Sequence, residues 1–194
     1  MYKYFTTIKS SLVVAVVAGS LLVAGPALAA GKGFGKPGDM NIVETAMDNP
    51  DKFSSLVEAI LCLSPDPENV LENNPIIDLL SGNRNFTVFA PNNGAFDALL
   101  EGADPCSLGV PTLTAVLAYH VKNGRNFSNS VFDIEEPKLL TMYSGDAIMT
   151  DGSDFTITDL AEQTIGLGDL INAKASNGVI HEIDTVMLPI PPAE

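Results

Sequence analysis

From residue 41 onward, apolar side chains return at helical intervals. Ile42, Val43 and Ala46 share one face, and beyond Asn49-Pro50-Asp51 the set Phe53, Leu56, Val57, Ile60 and Leu61 repeats at i, i+3, i+4, i+7 and i+8. Two short helices follow from that pattern. The prolines and asparagines of "SPDPENVLENNP" then mark a turn-rich insert, and "IIDLLSG" reads as a short helix closed by Gly82. In "FTVFAPNNGAFDALL", Thr87, Val88 and Phe89 favour a strand, Pro91 cannot donate to a ladder, and Asn92 is placed to cap a helix carrying Ala95, Phe96, Leu99 and Leu100. A further helix covers 112–120, with Leu113, Val116, Leu117 and Tyr119 inward. After Val121 the period changes to two, and 139–142, 147–150, 155–158, 170–175, 179–183 and 186–188 read as strands between Gly, Asn and Asp turns. Helices early and strands late predict an α+β fold.

The first 29 residues do not join this pattern. Lys3 and Lys9 precede a nearly unbroken apolar run over 12–24, and Ala27-Leu28-Ala29 fits the small-x-small rule for cleavage before Ala30. The run is shorter than the roughly 20 residues a membrane span needs, so it reads as a secretory signal peptide. "AGKGFGKPGD", residues 30–39, is a flexible linker; one domain is expected over 40–190, and 191–194 is a tail. No membrane insertion is expected after signal cleavage, and the mature chain is assigned to a secreted, extracellular or periplasmic location.

Charge and cysteine content narrow the chemistry. Without Lys3 and Lys9, eight basic residues stand against 24 acidic ones, a net charge of −16. Nucleic acid and anionic membranes are poor partners for that balance, because both require clustered Lys and Arg. Cys62 and Cys106 are the only cysteines; in an exported chain, without CxxC or Cys/His spacing, they are expected to form a disulfide. His120 and His181 are the only histidines and have no nucleophile motif beside them, so they read as structural. GxSxG, HExxH and Walker sequences are absent, and no enzyme activity or cofactor is expected. Asp146, Asp151, Asp154 and Asp159 lack the spacing of a calcium loop and read as solvated turn acids, so no metal is expected. The sequons at Asn85 and Asn126 are available to a eukaryotic secretory route only, and Asn85 borders a core strand.

Three motifs together carry a family resemblance. "TVFAPNNGAF" (87–96) resembles the first signature of the fasciclin (FAS1) family, "LAYHV" (117–121) its Tyr-His motif, and "SNGVIHEIDTVMLP" (176–189) its second signature. The resemblance covers about one full domain and implies a fasciclin-like fold, with N-terminal helices beside a wedge of mostly antiparallel strands. It implies that Thr87, Phe89, Pro91, Asn92 and Phe96 from the first signature, and Asn177, Gly178, His181 and Asp184 from the second, are structural. The two signature strands should be neighbours, with Val88 and Ala90 near Val179, Ile180 and Ile183, and Asn177-Gly178 should supply a positive-φ turn into the last hairpin. It implies further a non-catalytic adhesion module whose partner is a cell-surface or matrix protein or polysaccharide, with Tyr119 and His120 as a possible contact. The alternative is a small-ligand or glycan-binding protein on the same fold.

Overall fold

The computed structural model describes residues 39–64 and 74–189. The segments expected as signal peptide and tail, nearly all of the expected linker and most of the expected insert lie outside these residues. Asn41 opens helix α1 (Ile42–Met47) through a capping box: its side chain accepts from the Glu44 amide, and the Glu44 carboxylate accepts from the Asn41 amide, each at 2.9 Å. Helix α2 (Pro50–Leu61) starts on a proline, whose missing N–H costs nothing in a first turn. Asn74 caps α3 (Pro75–Ser81) with its Oδ1, while its Nδ2 donates to the Ile60 carbonyl at 2.7 Å. One buried amide thus ties the start of α3 to the end of α2.

Strand β1 (Phe86–Pro91) runs directly into α4 (Asn93–Leu100), and Asn92 caps that helix by accepting from the Ala95 amide at 2.9 Å. Pro91 is the last residue of β1, opposite Ile183, where its missing donor does no harm. A 3-10 turn (Pro105–Leu108) leads into α5 (Val110–Tyr119), with His120 as its cap. Then come β2 (Val121–Asn123), α6 (Ser128–Val131), β3 (Lys138–Thr141), β4 (Ala147–Asp151), β5 (Thr156–Thr158), β6 (Thr164–Gly166), β7 (Ala173–Ala175) and β8 (Gly178–Ile183).

Two four-stranded sheets result. The first has the order β2-β1-β8-β7, with β1 and β8 parallel and the outer pairs antiparallel; the second is the antiparallel meander β3-β4-β5-β6. One face of the first sheet, carrying Phe86, Val88, Ala90 and Ile180, packs with Phe53, Leu56, Ile60 and Ile77 of the helices. Phe89 and Ile183 on its other face join Tyr119, Ile148, Ile157, Ile165 and Met187 in a second core shared with the meander. All residues of β1 and β8 are buried, Thr87, His181 and Glu182 among them, so neither strand alternates between buried and exposed positions.

The pattern departs from expectation where side chains take over the work of the backbone. No strand forms over 186–188: the Met187 amide donates to His120 Nε2 and the Leu188 amide to Asp159 Oδ2, so a ladder has no role there. The expected strand over 170–175 shortens to β7 because Asn172 has φ 61°, and β5 begins one residue late because Phe155 has φ 57°. Gly178 is not in a positive-φ turn. A glycine is required because a Cβ there would collide with the Phe86 carbonyl and the Ile42 side chain, where β8 enters between β1 and α1. Strands β2 and β6 and helix α6, each three or four residues long, are too short for a periodic signal.

Candidate interaction surface

The motif residues converge inside the molecule. Tyr119 is fully buried; its hydroxyl donates to the Ala147 carbonyl at 3.0 Å and accepts from the Leu160 amide at 3.1 Å, linking α5 to the meander. Burial raises its pKa to about 12. His120 is buried beside it. Because its Nε2 accepts from the Met187 amide at 2.9 Å, the proton must sit on Nδ1, which donates to the Val116 carbonyl at 2.7 Å. Burial lowers the His120 pKa to about 4, so the ring is neutral at physiological pH. Neither side chain reaches the surface, so the Tyr-His pair offers a partner nothing to touch in this conformation.

His181 takes the opposite tautomer. Its Nε2 lies 2.9 Å from the Asn126 carbonyl and must donate to it, while the ring stacks on Phe89 at 5.7 Å and its buried Nδ1 has no partner among the described residues. Burial lowers this pKa too. Thr87 Oγ1 donates to the Gly124 carbonyl and accepts from the Asn126 amide, and Phe96 packs in the helical core. Asn177 serves three backbone groups: its Oδ1 accepts from the Ile42 amide, and its Nδ2 donates to the carbonyls of Leu80 and Gly82. Asp184 accepts from the Gly166 amide at 2.9 Å, tying the end of β8 to β6. Asp159, expected in solvent, is buried and holds the Gln163 amide, the Gln163 side chain and the Leu188 amide. Glu182 is buried as well; burial alone would raise its pKa, but Lys52, the Leu170 amide and Asn92 outweigh that and hold it below the usual carboxylate range.

With the signatures committed inward, contact chemistry falls to the exterior. On the outer face of the meander Leu139 pairs with Met149, Met149 with Thr158, and Thr158 with Thr164, giving one uncharged row across all four strands. Leu139 is 68% exposed and Met149 49%. Ile134 and Phe155, also exposed, lie near the turn between β4 and β5, where the Gly152 amide donates to the Asp133 carbonyl. The sequence held a signal for this face. "KLLT" and "AIMT" place two large apolar residues side by side in strands of period two, so one of each pair must point outward.

Cys62 and Cys106 form the disulfide, joining the cap of α2 to the 3-10 turn with their Cα atoms 5.3 Å apart. Asp104 lies near both sulfurs, the one close grouping of possible metal ligands among the described residues, but sulfurs bonded to each other are not thiolate ligands. A shallow hollow of about 320 Å³ beside it is lined by Ser55, Glu58, Asp97 and Asp104. Between the helices and the first sheet lies an apolar cavity of about 30 Å³. No helix among the described residues is long and apolar enough to cross a membrane.

Parallel signature strands at the centre, a capped strand-to-helix junction and a Tyr-His pair closing the second core define a fasciclin domain. The chain belongs to that family, whose model, Fasciclin domain, matches residues 68–189. It is 35% identical over 156 residues to protein sll1483 of Synechocystis, covering 77% of this chain and 74% of that protein. It is 28% identical over 149 residues to the cell surface glycolipoprotein MPB83 of Mycobacterium bovis, covering 76% of this chain and 60% of that one. In the FAS1 domain pair of the insect cell adhesion molecule fasciclin I, a TM-score of 0.56 at 14% identity covers 77% of this chain and 51% of that one. The chain therefore spans about half of that structure and shares its fold. Fasciclin domains are adhesion-type, generally non-catalytic modules, and their relatives include cell-surface proteins.

Proposed function

We propose that this chain is a secreted, non-catalytic contact module acting in cell-surface or matrix adhesion, in an extracellular or periplasmic space. The observation that carries the reading is the uncharged row of Leu139, Met149, Thr158 and Thr164 on the open face of the meander. On a surface this acidic, apolar side chains left in water stand out, and an exposed apolar face there is where a partner gains most from desolvation. The alternative of a small-ligand or glycan pocket finds less support: the internal cavity of about 30 Å³ has room for a water-sized object only, and the hollow by Asp104 is open and rimmed by carboxylates.

The test is retention. Beads carrying the mature chain should hold cells or surface material of the organism that makes it, and soluble chain should compete. A Leu139→Gln, Met149→Gln variant, folded by circular dichroism, should hold markedly less. Equal retention by the variant would remove the meander face from the proposal, and beads that hold nothing would remove adhesion.

A further inference from the structure

The described residues contain six cationic side chains against 20 carboxylates. With carboxylates in such excess, every cation should find one nearby. Lys52 does, at 2.8 Å from Glu182 and 3.7 Å from Asp169. Lys138 donates to the Ser130 carbonyl. The remaining four, Arg84, Lys122, Arg125 and Lys174, gather at one end of the first sheet, and none is within ion-pair distance of a carboxylate among the described residues.

Strand register puts them there. Lys122 on β2 lies opposite Thr87 on β1, Thr87 opposite Val179 on β8, and Val179 opposite Lys174 on β7. At about 4.8 Å per strand, the two lysines mark the ends of a row about 14 Å long on one face. Residues 124–128 cross that row as a strap. The Gly124 carbonyl accepts from Thr87 Oγ1, the Asn126 amide donates back to it, the Asn126 carbonyl accepts from His181, and the Ser128 amide donates to Asn172.

Three of the four cationic heads are held in place by neutral groups. Arg125 uses a single terminal nitrogen for the carbonyls of Ala175 and Ser176, at 3.0 and 2.7 Å, which leaves its other terminal nitrogen and Nε without a hydrogen-bond partner among the described residues. Arg84 donates to Asn123 Oδ1 at 3.1 Å and lies 5.4 Å from the centre of the Phe86 ring. Lys174 sits 6.0 Å above Phe127. Cations positioned by carbonyls and rings, with their charge left uncompensated, are preorganised for an anion that comes from outside.

We infer that this strap docks an acidic polysaccharide, one bearing carboxylate or sulfate groups, and so names the polymer the contact module grips; the inference rests on the contact reading above. Charge complementarity selects the partner. Single cations separated by the exposed amides of Asn85 and Asn123 match single anionic groups separated by sugar hydroxyls. Nucleic acid, with one charge per about 1.7 Å of duplex, would run past four cations onto an acidic surface. The total charge conceals the site, since only folding brings residues 84, 122, 125 and 174 together.

The experiment measures binding of the mature chain to polygalacturonate and to dextran sulfate at low salt, with neutral dextran and a single-stranded oligonucleotide as controls. Saturable binding to at least one acidic polysaccharide and none to dextran is expected. The Lys122→Gln, Lys174→Gln variant should lose about tenfold in affinity, the worth of two screened ion pairs, while Lys138→Gln changes little. If the double variant does not fold, Lys174→Gln alone carries the comparison. The inference is overturned by no binding to either acidic polymer, by equal loss in Lys138→Gln, by unchanged affinity in the strap variant, or by an oligonucleotide that binds as tightly. Self-association of the free chain that the strap variant abolishes would also overturn it, because the occupant would then be the acidic surface of a second copy. Bead retention separates the two proposals: retention that persists in the strap variant sinks the strap alone, whereas absence of retention by the unaltered chain sinks the contact reading itself.

Discussion

At the scale of the residue, the two histidines show how one side chain is used in opposite ways. His120 carries its proton on Nδ1 and accepts at Nε2, whereas His181 donates from Nε2 and leaves Nδ1 bare. A lone pair on His120 that must accept from the Met187 amide cannot also carry a proton, so charging the ring breaks that bond. The folded pKa of about 4 lies below the ordinary value of 6.5. Between those values the unfolded chain binds more protons, so the stabilisation is fully present above pH 6.5 and drains away as pH falls toward 4, by about 3 kcal/mol at most. In His120→Ala that drain is gone. The gap in unfolding free energy between the two proteins should therefore narrow from pH 7 to pH 4.5 in denaturant titrations; a constant gap would mean His120 does not titrate as its burial requires. The Asn177 amide serves three backbone groups at once, and Asn177→Ala strands the Ile42 amide and two carbonyls, at about 1–3 kcal/mol for each group left dry. Its melting temperature should drop by several degrees or more, and a change under one degree would mean water replaces the amide. The sequence, with no nucleophile near either histidine, supported only a structural reading; that His120 is buried rather than presented as a contact became visible only in the fold. That Asp159 is internal was not legible either, since one of its partners, Gln163, lies in a segment with no periodic pattern and the other, the Leu188 amide, lies in a segment that reads as a strand and forms none.

At the scale of the element, legibility followed length and capping. Helices α1 to α5 were readable because each carries an apolar stripe or a proline or asparagine at its start, and those signals are local. That β1 and β8, whose paired residues are 92 positions apart, lie side by side came only through the resemblance, and their parallel direction not even through that, since periodicity says nothing about which strand lies beside which. Two local features bind these elements into one unit. The disulfide links the end of α2 to the turn before α5 and closes a separation of 44 residues, which in the chain-entropy picture stabilises by roughly 4 kcal/mol. Reduction, or a Cys62→Ser, Cys106→Ser variant, should lower the denaturant midpoint without changing far-ultraviolet dichroism at neutral pH. An unchanged midpoint would show that the reduced chain already holds these elements together. Gly178 is the tightest junction of all, with the Phe86 carbonyl where a side chain would stand. Gly178→Ala should destabilise more than the conformational 0.5–1 kcal/mol a strand glycine ordinarily gives back, with the opposite sign, because β8 must shift out of register with β1.

At the scale of the whole molecule, the dominant property is unbalanced charge with a polarity that only the fold reveals. Six cations against 20 carboxylates leave a net −14 on the described residues, and four of the cations sit at the strap, so most of the remaining surface is nearly uniformly acidic. Like charges spread over a compact body repel one another and favour expansion. Screening should therefore stabilise this protein, the reverse of what a fold held by surface ion pairs would show, since the only ion pairs among the described residues belong to Lys52. Raising sodium chloride from about 0.02 M to about 0.5 M at pH 7.5 shortens the screening length from about 20 Å to about 4 Å, and the melting temperature should rise by a few degrees. Sulfate salts are unsuitable for this measurement, because their exclusion from the surface strengthens apolar burial in any protein. The same salt series should weaken attachment to an acidic polymer, because there the charges attract. Stability rising while binding falls, along one axis of salt, is the signature of a repulsive body with one attractive end. If the melting temperature instead falls with salt, the carboxylates are not repelling one another as the charge count requires, and the contact between Lys52 and Glu182 outweighs all of them.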